Sequence, residues 1–95
     1  MVVGVCRIEL GIPDLGDLKG KRSVVKRIIH RTQQKFNVAM AEVDDLDLWQ
    51  KATLGFCCIA NDQRFVNSMI DKILDFIENL ELAELLDQEM EFIQY

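Results

Sequence analysis

The chain has 95 residues, 49% of them hydrophobic and 28% charged, with one proline and five glycines. That composition fits a single globular domain, residues 1–95, with its own core, and leaves no room for a long flexible linker. No segment approaches the run of about 18 apolar residues that a membrane span needs, so no membrane partner is expected.

The net charge of −5 hides a polarity along the chain. Residues 1–35 carry eight basic and three acidic side chains, whereas residues 36–95 carry three basic and thirteen acidic ones. Cys6, Cys57 and Cys58 are odd in number, and two are adjacent, with no Cys-x-x-Cys spacing. With one histidine they make no standard zinc set, so free thiols acting as small core residues are expected, with no metal or cofactor. The opening MVVGVCRIEL lacks the basic start and cleavage site of a secretory signal, and a cytoplasmic location is the expectation.

Taken in chain order, Val2 to Ile12 reads as a strand, with Cys6, Ile8, Leu10 and Ile12 on one face and Arg7 and Glu9 on the other. Pro13 ends its pairing, and Asp14 to Gly16 read as a turn. Asp17 is the expected N-cap of a helix from Leu18 to about Lys35, whose inner stripe is Val25, Ile28, Ile29 and Thr32. Asn37 to Val43 and Trp49 to Ala60 read as strands joined by a short acidic link, hence a hairpin. Asn61 or Asp62 caps a second helix reaching about Leu80, with Phe65, Val66, Met69, Ile70, Ile73, Ile77 and Leu80 inward. Leu85 to about Gln94 reads as the last strand, with Leu86, Met90 and Phe92 alternating against Asp87, Glu89 and Glu91.

This order predicts an α+β, ferredoxin-like βαββαβ sandwich: a four-stranded antiparallel sheet with both helices on one face. The third strand is apolar on both sides, with Leu54, Phe56 and Cys58 opposite Cys57 and Ile59. A one-sided sheet should alternate cleanly, so a covering partner is expected on the far face, most simply a second copy forming a homodimer.

The run Leu18-Lys19-Gly20-Lys21-Arg22-Ser23-Val24-Val25-Lys26-Arg27 places five cations in the first turns of a helix, where the macrodipole already repels them. Phosphate is the obvious counter-charge, and repeated phosphates mean nucleic acid. Lys19, Lys21, Arg22, Lys26, Arg27 and Arg31 are the candidate phosphate contacts. Gly16 to Ser23 is one residue short of a nucleotide-binding phosphate loop, with Arg22 intruding, which argues against nucleotide hydrolysis. The paired aromatics of a base-stacking sheet are missing, because Cys58 fills one position and Val2 to Arg7 hold no aromatic. Glu42, Asp44, Asp45 and Asp47 read as a solvated acidic turn, or as partners for the basic helix of a neighbouring molecule, before they read as a magnesium or calcium site. His30 has no partner for acid–base work, and Trp49 reads as a rim or core anchor.

At these residues the chain resembles the YlxP-like family of bacterial proteins. The resemblance rests on MVVGVCRIEL, on Leu18 to Lys26, on Phe36-Asn37-Val38 and on Ala41 to Asp44. It continues through Asp47-Leu48-Trp49-Gln50 and from Leu54-Gly55 to Asn61-Asp62. The family is a domain of unknown function, so the resemblance implies a ferredoxin-like fold without a mechanism. Its gene neighbourhood among translation and ribosome-maturation genes implies RNA or the ribosome as partner. The combined expectation is a non-catalytic accessory protein, with no catalytic residues, touching RNA through its first helix. The rival expectation is a homo-oligomeric scaffold or small-ligand module built on the open sheet face.

Overall fold

The computed structural model describes residues 1–13 and 16–95. The turn expected from Asp14 begins outside those residues. The elements are β1 (Val2–Gly11), α1 (Leu18–Lys35), β2 (Ala39–Asp44), β3 (Lys51–Ala60), α2 (Gln63–Asn79) and β4 (Glu84–Gln94). They form one antiparallel sheet in the order β2-β3-β1-β4, the arrangement of a ferredoxin-like sandwich.

The side-chain period of two decides which face each strand buries. Cys6, Ile8 and Leu10 of β1 and Leu54, Phe56 and Cys58 of β3 point to the helices and are buried. Against them α2 lays Val66, Ile70, Ile73, Leu74 and Ile77. The approach is close at Gly4, where a β-carbon would run into the Val66 Cγ1 and Ile70 Cδ1 methyls. That position needs glycine for space, not for its backbone angles. Asp62 starts α2 by accepting a hydrogen bond from the Arg64 amide at 3.1 Å.

Three inward assignments change. Phe65 is 59% exposed, more than about 100° round the helix from the centre of the Val66, Ile70, Ile73 and Ile77 stripe, and Leu74 is buried in the stripe instead. In β4 the register shifts opposite Glu9 and Leu10, so that Asp87 pairs with Glu9 and Leu85 with Leu10. The bulge turns Leu86 to the surface, and Leu85 takes the inward place. In α1, Lys21 is buried with Val25, Ile28 and Thr32.

The far face of the sheet carries no helix. Its exposed apolar residues include Val43 (52%) toward the β2–β3 edge, Ile59 (60%) and Ile93 (43%) toward the Val2 end, and Leu86 (52%) beside Gly11 at the other end. Its charged residues include Arg7, Glu9, Asp44, Lys51, Asp87, Glu89 and Glu91. The three cysteines are free; Cys6 and Cys58 are in the core, whereas Cys57 is half-buried on the open face. Burial, with the neighbouring Cys58 adding to it, pushes the Cys6 thiol up to about 11, which keeps it protonated and unreactive.

Candidate nucleic-acid interface

Helix α1 begins where Asp17 Oδ1 accepts the Gly20 amide proton at 2.8 Å. This cap occupies one of the free amides on which an anion site at the helix end would depend, so the candidate surface is the helix body. Between Leu18 and Lys35 there are seven cations and no acid.

Of the six cations expected to meet phosphate, the structure brings five to the surface. Lys19, Arg22, Lys26, Arg27 and Arg31 are all exposed. At about 100° per residue they fall within roughly half the helix circumference, opposite the stripe of Val25, Ile28 and Thr32. Among the described residues none of the five forms an ion pair. Lys35, exposed on the last turn, extends the set; sequence reasoning left it out because it sits apart from the dense N-terminal run.

Lys21 is the exception and leaves the set. Its side chain is 0% exposed, and Nζ donates to Glu42 Oε2 at 2.5 Å and to the Asp45 carbonyl oxygen at 2.9 Å. It cannot reach a ligand phosphate. Its role is to pin the first turns of α1 to the β2–β3 hairpin. The signal was legible: residues 21, 25, 28 and 32 follow inner-face spacing, and Glu42 sits at an inward position of β2 two residues after Met40.

Asp44 and Asp45 of the acidic turn are likewise taken up within the chain. Asp44 accepts from Arg7 Nη2 at 3.2 Å. Asp45, in the left-handed region at φ 59°, accepts from Thr53 Oγ1 at 2.7 Å and lies 3.7 Å from Lys51 Nζ. The Thr53 hydrogen bond, helped by the Lys51 and Lys21 charges, holds the Asp45 carboxyl below the usual carboxylate range. Lys51 also reaches Glu9 at 3.3 Å, and that contact, with Asp45, raises its ammonium pKa. Among the described residues no group of three or more His, Cys, Asp or Glu side chains is placed to hold a metal ion. Among the described residues no helix is long and apolar enough to cross a membrane. Trp49 is partly exposed and lines a shallow depression with Leu18 and Asp47, and His30 is exposed on α1.

Comparison with known proteins agrees with this architecture. A de novo designed protein with a ferredoxin fold superposes with a TM-score of 0.55 at 18% identity, covering 100% of this chain and 87% of that one. The structural-genomics protein YJCS gives 0.54 at 14% identity, covering 97% and 99%. These likenesses establish the fold alone. In sequence, the uncharacterized protein YlxP of Bacillus subtilis (strain 168) is 35% identical over 78 residues, which span 82% of this chain and 85% of that protein. Residues 3–90 match the family described as protein of unknown function DUF503, and the chain is a member of that family.

Proposed function

We propose that the chain is a non-catalytic accessory domain that contacts RNA, in the setting of the ribosome, through the outer face of α1. One observation carries the reading. Five exposed cations, on a helix without a single acid, find no ion-pair partner among the described residues of a chain whose net charge is −5. Mixed charges are the usual state of a solvated helix face, and a one-sign face focuses a field that attracts polyanions. The contacts would go to phosphates and carry little sequence preference. The acidic remainder disfavours indiscriminate binding, which suits a structured partner. Fluorescence anisotropy with a labelled structured RNA at low salt tests the reading. Binding that Arg22→Glu with Lys26→Glu abolishes supports it; binding unchanged by that reversal, or none at all, removes it.

A second reading, a homo-oligomer through the open sheet face, is favoured by shape. Exposed Val43 and Ile59 flank a depression of about 370 Å³ whose lining includes Ala39, Ala41, Gly55 and Cys57. Against it stands the column Asp87, Glu89 and Glu91 on the same face. Sedimentation equilibrium decides: a dimer that Ile59→Lys dissociates supports this reading, and a monomer at high concentration ends it.

A further inference from the structure

The cationic face of α1 runs into a groove between the helices. Arg31, Gln34 and Lys35 of α1 line one side, and Phe76 of α2 with Leu80 at its C-cap line the other, around a volume of about 410 Å³. Phe76 is half-buried, its ring set against that of Phe36 at 5.5 Å and 80°. Lys72 is exposed one turn before Phe76 on the same stripe of α2. The acids of α2, Asp71, Asp75 and Glu78, lie about 100° or more round the helix from Phe76. Arg31, Lys35 and Lys72 form no ion pair among the described residues.

A surface that met only phosphates would need cations and nothing else. This groove sets an aromatic and an aliphatic side chain across from two cations, and adds a carboxamide able both to donate and to accept. A nucleotide has the matching parts: a flat base with a π-face, polar base edges, and an anionic linkage on either side. We propose, resting on the RNA reading above, that the groove receives one unpaired base of the bound RNA. Phe76 and Leu80 lie beneath the base, Gln34 meets its edge, and Arg31 and Lys35 meet the flanking phosphates. In a duplex the bases are stacked and withdrawn from such a floor. The domain therefore prefers single-stranded or bulged RNA to a perfect helix.

The test compares the full chain on a labelled single-stranded RNA and on a duplex of the same length, by anisotropy at low salt. The expected result is single-strand binding about tenfold tighter, a ratio that Phe76→Leu brings close to one without altering duplex affinity. Phe76 also packs on the core, so Lys35→Glu, exposed on the groove wall, serves where Phe76→Leu does not fold. It weakens single-strand binding at least fivefold more than Lys19→Glu, at the far end of α1, does. Equal affinities for the two RNAs, untouched by Phe76→Leu, overturn the groove while leaving phosphate contact by α1 standing. The same holds if Lys35→Glu has no larger effect than Lys19→Glu. No binding to either RNA overturns both.

Discussion

Lys21 Nζ and Glu42 Oε2 stand 2.5 Å apart, the lysine without any exposed side-chain surface and the glutamate only 16% exposed. Two charges withdrawn from water stabilise a fold only while both are present, and losing one strands the other. Lys21→Met is therefore expected to lower the unfolding free energy by about 3 kcal/mol or more. The double change Lys21→Met with Glu42→Leu recovers most of it, because a packed apolar pair leaves no orphaned charge. Urea titrations of the wild type, Lys21→Met, Glu42→Leu and the double variant check this. Among variants that fold, Lys21→Met should retain RNA affinity that Arg22→Glu loses.

At Gly4 the crowding comes from helix α2. Gly4→Ala places a methyl where the Val66 Cγ1 methyl already lies, so helix or strand must shift. The expected cost is about 1–3 kcal/mol, seen as a lower thermal midpoint. Gly55 lies on the open face, where an added β-carbon would stand 3.2 Å from the Val43 Cγ1 methyl, and it should tolerate alanine better.

Just past the Leu80 cap of helix α2, Glu81 lies at φ 56°, its amide donating to the Glu78 carbonyl at 3.2 Å. A side chain is strained there, and glycine is the usual residue. Glu81→Gly is expected to stabilise the domain by up to about 1 kcal/mol, raising the midpoint by several degrees. A lower midpoint would show that the Glu81 side chain makes a compensating contact.

The hairpin anchored by Asp45 makes stability depend on acid. Its folded pKa lies below the ordinary 3.8, so the folded state binds this proton less readily than the unfolded chain. The contribution is whole above the unfolded value and drains away as pH falls through the folded one. Thr53→Val removes the principal cause. Between neutral pH and pH 2 it should lose less stability than the wild type, measured by denaturant midpoints.

Much of this was legible in the sequence, because the periods are clean. Cys6, Ile8 and Leu10 alternate against Arg7 and Glu9, and the hairpin link is too short for a crossover. Failures came where a tertiary neighbour decides. Phe65 is apolar at a helical position yet faces water, since it falls outside the stripe of Val66, Ile70, Ile73 and Ile77. Leu86 is turned outward by a bulge that leaves no mark in an alternating run. Lys21 was grouped by charge with Lys19 and Arg22, although its spacing to Val25, Ile28 and Thr32 placed it inside. The groove at Phe76 joins residues more than forty positions apart, which no local pattern brings together.

The central claim, that α1 neutralises phosphates, is tested most directly by the salt dependence of RNA binding. Each phosphate contact releases about 0.7–0.9 of a counterion, so five contacts give a slope near −4 for log affinity against log salt. Arg22→Ala and Lys26→Ala should each make that slope shallower by about one unit, while Lys72→Ala, off α1, changes it less. A slope near zero for the wild type, or one that these α1 variants leave unchanged, would contradict the account.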